Sequence, residues 1–241
     1  MGAWPDPGPF PWARLLRLWA AVAGTCAVLS FPSSAAFSLQ EVEVHGARRL
    51  DARELARAGG LEVGMPLASV DPDRVRRRLL RLPRVRDAWV QARWPSRVRV
   101  WVDERTPQAV LRLPDGTEVL VDEDGVVLDG AAQGLPVVLG PKVRWLQPGE
   151  AVPAPEVVRL VRELAALPDP DRQQVAWARP LATGDVTVGT RDGLVVRAAA
   201  GRLGKGLRTA REVAQALWAR GVRAGVVDVR YADRAVVQPA P

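Results

Sequence analysis

Apolar and polar positions alternate most cleanly in LPRVRDAWVQARWPSRVRVWVDERTP, residues 82–107. Val85, Ala88, Val90, Ala92 and Trp94 read as one strand, with strict alternation from Ala88 onward. Val98, Val100 and Val102 then share one face of a second strand, opposite Arg97, Arg99, Trp101 and Asp103. Pro95-Ser96 lies between them, and period-two patterning on both sides of a two-residue turn predicts a β-hairpin. Upstream, Leu39, Val42 and Val44 predict a short strand ended by Gly46. Asp51, with Glu54 three residues on, opens a helix carrying Leu55 and Ala58 inward, and Gly59-Gly60 stops it. Asp71 followed by Pro72 opens a second helix. Its inward positions are Val75, Leu79, Leu80 and Leu82, and arginines fill the rest. The order strand, helix, helix, strand, strand makes one small module.

Glu104-Arg105-Thr106-Pro107 marks a boundary, after which the strand signals restart. Strands are expected at 109–113, 118–121 and 126–128, with Pro136 to Leu139 as a further edge. Asp115-Gly116 and Asp124-Gly125 supply the turns, because glycine tolerates positive φ. A helix over 155–167 buries Val157, Leu160, Val161 and Leu164, and Pro168 ends it. Strands follow at 174–178, 186–190 and 194–198. A second helix, 205–220, turns Leu207, Ala210, Val213, Ala214 and Leu217 inward, and strands at 226–231 and 235–237 complete the pattern. This is a β-rich region with two helices and no internal repeat.

Residues 1–13 are rich in Pro, Gly and Trp, and from Leu18 to Leu39 no residue is charged. The stretch Leu15 to Phe31 reaches the lower limit of a membrane span, which takes roughly 17–25 mostly apolar residues. Arg14 precedes it, Arg17 near its start can snorkel to the interface, and Glu41 and Glu43 follow, so the positive-inside rule leaves the N-terminus in the cytoplasm. A cleaved signal peptide is the alternative, with Ser34-Ala35-Ala36 as the small-residue site. Cys26 follows Ala23-Gly24-Thr25, a poor setting for lipid attachment. Either way the folded part is expected outside the cytoplasm. The expected organisation is a cytoplasmic tail (1–14), a transmembrane anchor and linker (15–36), the small module (37–105) and a β domain (106–241). The fold class is α+β.

Composition mostly excludes. The 241 residues carry a formal net charge of +7, mainly through arginine, which fits nucleic acid, an anionic membrane surface or a compositional habit. The basic helix from Arg74 on lacks interleaved aromatic platforms, so a nucleic-acid partner is not expected. Headgroup contact or a plain solvated face remains. The single cysteine rules out an intramolecular disulfide. His45, the one histidine, sits beside Gly46 at a strand end and reads as a turn residue. Asp122-Glu123-Asp124-Gly125 lacks the later ligands of a calcium loop and reads as a solvated hairpin turn. Gly201, Gly204 and Gly206 precede a helix without phosphate-loop spacing. No catalytic residue, metal ligand, cofactor or small-molecule substrate is expected.

The run FSLQEVEVHGARRLDARELARAGGLEVGMPL, the unit VDPDRVRRRLLRLPRVRDAWVQARWP and the junction VRVWVDERTPQAV resemble a POTRA domain of the cell-division family FtsQ/DivIB. LVDEDGVVLDG, LPVVLG, the Asp192-Gly193 hairpin with its Lys205-containing helix, and VVDVRYADRAVV resemble that family's β domain in the same order. The resemblance implies a non-enzymatic scaffold of the division machinery, held in the cell membrane at the septum. Such a scaffold links early and late division proteins and helps control septal peptidoglycan synthesis. Implied partners are single-span proteins of the FtsB/FtsL type. The family's last β-domain strands form an exposed edge that pairs with a partner segment, which carries Arg230, Tyr231, Asp233 and Arg234 over as partner contacts. The sequence departs from the pattern after that, ending in Gln238-Pro239-Ala240-Pro241 where some members continue with an aromatic residue. A POTRA-bearing protein of another assembly or secretion system is the competing reading.

Overall fold

The computed structural model describes residues 37–141, 143, 145–181, 183–231 and 234–240. The expected cytoplasmic tail and transmembrane anchor lie outside them. No helix among the described residues is long and apolar enough to cross a membrane. The chain divides into two compact units, one holding residues up to 79 with 87–103, the other 80–86 with 104–241.

The first unit runs β1 (Glu41–His45), α1 (Ala52–Gly59), α2 (Pro72–Leu79), β2 (Val85–Arg93) and β3 (Arg97–Glu104), with a 3-10 turn at Leu67–Ser69. The strands form a sheet in the order β1-β3-β2, and β1 lies parallel to β3. Capping follows the predicted chemistry. The Asp51 carboxylate accepts from Arg53 N at 2.6 Å, and Asp71 accepts from Asp73 N at 3.0 Å and Arg74 N at 3.2 Å. Gly60 ends α1 at φ 74°, the left-handed position that glycine occupies without a Cβ penalty. Leu55, Leu67, Leu79, Val98 and Val100 are buried almost completely, each contributing about 2 kcal/mol of apolar transfer. Two inward expectations fail because α2 stops at Leu79. Leu80 faces solvent and Leu82 is half-buried. The connection between β2 and β3 takes three residues, Trp94-Pro95-Ser96, and leaves Trp94 59% exposed.

The second unit is a nine-stranded sheet in the order β12-β11-β10-β9-β8-β7-β4-β5-β6. The strands are β4 (Ala109–Arg112), β5 (Glu118–Val121), β6 (Val127–Leu128), β7 (Val137–Leu139), β8 (Val175–Pro180), β9 (Val186–Thr190), β10 (Val195–Ala198), β11 (Ala224–Asp228) and β12 (Val236–Pro239). Three helices accompany them, α3 (Pro155–Ala165), α4 (Asp169–Gln174) and α5 (Leu203–Trp218). Helix α3 packs on β8 and α5 on β10 and β11, around a core that includes Val157, Leu160, Val161, Leu164, Leu207 and Ala210.

Two expectations change here. Among its described residues the region holds three helices rather than two, because the proline that ends α3 also leads into α4. Pro168 caps the new turn, Pro170 occupies its first positions and Asp169 and Asp171 supply first-turn acids. Strand β7 is an interior strand, parallel to β4 on one side and to β8 on the other, rather than an edge. Parallel pairing needs a crossover connection, and that is not visible in a three-residue apolar run.

Candidate partner-binding edge

Strand β12 is the outermost strand of the large sheet and pairs only with β11, in antiparallel register Val227 to Val237 and Asp228 to Val236. The ladder shifts between Ala224 and Val226, leaving Gly225 as the extra residue. A Cβ there would stand 3.0 Å from Ala240 Cα, so glycine lets the two chains approach. The free side of β12 offers backbone groups for strand addition, and Val236 beside them is 48% exposed.

Strand β11 stops at Asp228, three residues short of the predicted end, so Arg230 and Tyr231 sit in the loop before β12. Arg230 is committed internally. Its Nε donates to Asp228 Oδ1 at 2.9 Å, its Nη2 to Asp228 Oδ2 at 2.7 Å and its Nη1 to Asp185 Oδ2 at 3.3 Å. These hydrogen bonds, chiefly those donated to the Asp228 carboxylate, raise the guanidinium pKa above its ordinary value. They hold the Asp228 carboxyl below the ordinary carboxylate range. The arginine therefore braces the loop, its charge already paired within the chain.

Tyr231 is half exposed, with the Arg230 and Arg234 guanidinium carbons 5.8 and 5.6 Å from its ring centre. A phenol framed by two cations presents an apolar face inside a positive rim. Asp233 lies outside the described residues. Together Arg230, Tyr231 and Arg234 line one wall of a groove of about 330 Å³, whose other wall is α5. Helix α5 can approach because Gly206 meets Ala198 and Val229, where a Cβ would stand 2.8 Å from Ala198 Cβ.

The groove adds residues that the linear pattern does not single out as contacts, namely Arg202, Lys205, Thr209 and Val213. The last three are four residues apart, one face of a helix, so the face is legible in the sequence. That this face meets the last strand is not. Arg202 and Lys205 are exposed and have no ion-pair partner among the described residues. The edge thus combines unpaired backbone, one aromatic ring and a cationic wall, an arrangement suited to an acidic segment that enters as a strand.

The other singled-out motifs resolve structurally. Asp122 is completely buried rather than solvated. Its Oδ1 accepts from Asp124 N at 3.0 Å and Val126 N at 2.8 Å, while Arg105 donates to Oδ2. Arg86 stands 3.7 Å from the same oxygen, so Asp122 is the buried, paired centre of the turn while Asp124 stays exposed. His45 ends β1 with its ring stacked on Trp101 at 5.6 Å. Among the described residues no group of His, Cys, Asp and Glu could hold a metal ion.

Comparison with known proteins covers both units. Residues 37–105 match the family model for the FtsQ-type POTRA domain, and residues 109–233 that for the C-terminal region of cell division protein FtsQ/DivIB. The chain is similar to cell division protein FtsQ of Streptomyces collinus, 39% identical over 55% of this chain and 54% of that protein. With FtsQ of Mycolicibacterium smegmatis it is 33% identical over 74% of this chain and 53% of that protein. It therefore spans about half the length of these two relatives. With FtsQ of Rhodothermus marinus the identity is 30%, over 83% of this chain and 77% of that protein. The extracytoplasmic domain of DivIB from Geobacillus stearothermophilus aligns at 22% identity over 50% of this chain and 98% of that domain, with a TM-score of 0.34.

Proposed function

We infer that this chain, which belongs to the FtsQ/DivIB family of cell-division proteins, is a non-enzymatic scaffold of the division machinery. In this reading residues 15–36 hold it in the cell membrane as a single-pass protein with a cytoplasmic N-terminus, and the POTRA and β domains lie outside. It gathers single-span partners of the FtsB/FtsL type at the septum. It thereby links early and late division proteins and helps control septal peptidoglycan synthesis. Nucleic acid, cofactor and small-molecule substrate have no part in it. A POTRA protein of another assembly or secretion system has no observation in its favour, since both halves of the chain match cell-division models.

The observation that carries the reading is the free edge of β12 beside the cationic groove. A partner strand added to β12 gains main-chain hydrogen bonds from the open ladder. Tyr231 supplies the kind of aromatic anchor that dominates interface energetics, and Lys205, Arg202 and Arg234 favour a partner with nearby carboxylates. Arg230 acts by positioning this loop.

The test is co-purification from membranes with an FtsB/FtsL-type partner. Replacing Tyr231→Ala together with Lys205→Glu is expected to weaken capture by about tenfold or more while the unfolding midpoint stays at the wild-type value. Both side chains are exposed, so the fold does not depend on them. Undiminished capture by this variant would remove the edge as the binding site.

A further inference from the structure

One end of the POTRA unit carries an exposed apolar tip, assembled from three pieces of chain. The segment at 37–41 runs between two loops. On one side Leu39 N donates to Met65 O at 2.8 Å and Gly64 N to Leu39 O at 2.7 Å. On the other, Gln40 N donates to Ser96 O at 2.8 Å, and the Phe37 ring lies 5.7 Å from the Trp94 ring. The loop around Gly64 and the β2-β3 connection therefore flank the point where the chain comes into the unit.

Both loops present apolar side chains to solvent. Val63 is 75% exposed and Trp94 59%, although Val63 stands two residues from the buried Leu61 and Trp94 four from the buried Val90 and Val98. Pro66 and Pro95 are exposed beside them. Arg93, next to Trp94, is exposed, and its side chain has no ion-pair or hydrogen-bond partner among the described residues. Glu41 is held by Arg97 at 3.0 Å, and Glu62 is the acid on these loops without an ion-pair partner among the described residues. A tryptophan, a valine and a cation at one tip have the composition of the bilayer interface, where indole sits at headgroup level and arginine meets phosphate.

The occupant follows from the chain preceding the tip. Five residues, 32–36, separate residue 37 from Phe31, where the densest apolar stretch ends. Five extended residues reach at most roughly 18 Å. We propose that this tip, with Trp94 and Val63 at its apex and Arg93 beside them, rests in the headgroup layer of the membrane that holds residues 15–31. This inference depends on the anchored reading given above. It adds a second membrane contact, one that fixes the orientation of the POTRA unit to the bilayer where a single span would leave it free to swivel.

The experiment uses the full chain in bilayer discs containing phosphatidylglycerol. Trp94 is replaced in one protein by the photo-crosslinking residue benzoylphenylalanine, and Trp89 in another. Trp89 is the control, 54% exposed on β2 and five residues before Trp94 in the following turn, about 16 Å away along the chain at some 3.3 Å per residue. Illumination is expected to yield at least about fivefold more lipid adduct at position 94 than at 89, with Arg93→Glu lowering the yield at 94. Thermal unfolding midpoints equal to wild type show that the labelled proteins are folded. A chain that separates from lipid altogether removes the anchor and this inference together. A chain held in the disc whose label at 94 gives no excess over 89, or adducts to protein instead of lipid, overturns this inference alone.

Discussion

Asp228 and Arg230 hold each other through three side-chain hydrogen bonds, of 2.9, 3.1 and 2.7 Å, and the loop bearing Tyr231 hangs on that pair. The hydrogen bond from Arg230 is the main reason that the Asp228 carboxyl titrates below its ordinary range. A depressed carboxyl stabilises the fold fully above the unfolded value, near pH 3.9, and loses its contribution as pH falls through the folded value. Arg230→Gln is expected to cost about 1–3 kcal/mol at pH 7 and to flatten the loss of stability below about pH 4. Denaturant unfolding at pH 7 and at pH 3 measures both. An unchanged acid limb would detach the pair from stability. The same geometry revises what a partner can use. Charge reversal at Arg230 would set a carboxylate against Asp228 and Asp185, so lost binding in that variant would report a disturbed loop and not a missing contact.

Among the elements, α5 most directly joins stability to the candidate site, because one of its faces is a groove wall and its start is held from elsewhere. Its N-cap position, Arg202, makes no side-chain cap. Glu163 of α3 serves instead, accepting from Gly201 N at 2.7 Å and Leu203 N at 3.4 Å. A carboxylate at a helix N-terminus also meets the positive end of the dipole. Glu163→Ala is therefore expected to destabilise by about 1 kcal/mol, a typical loss for a cap, with a larger gain in hydrogen exchange over 201–207 than at β4. Uniform exchange across both would show that Glu163 does not act at this helix end. The two caps in the POTRA unit are legible in the sequence because Asp51 and Asp71 satisfy backbone donors two or three residues away. Glu163 is not, because its acceptors serve donors 38 and 40 residues on.

For the whole molecule, the family places the chain in cell division, and the proposed scaffold makes a prediction about position in the cell. A fluorescent fusion is expected to concentrate at the septum of dividing cells. An even signal around the envelope would end the scaffold reading, whatever the β12 edge does in isolation.

Local chemistry decided a good deal by itself. The β2-β3 hairpin, both helices of the POTRA unit and the buried face of α3 all depend on neighbours within a few residues, so they are present in the pattern. Family membership was legible too, because the motifs recur in order along most of the chain. What depends on distant pairing was not. The interior position of β7 comes from parallel partners on both sides, and the burial of Asp122 from Arg105 and Arg86 closing over it. Arg230 looked like a contact because a cation near an aromatic ring suits an interface. Only the tertiary structure brings Asp185 within reach, 45 residues back in the chain, and turns that cation into a brace. Sequence period sets which way a side chain points, but topology sets what it meets.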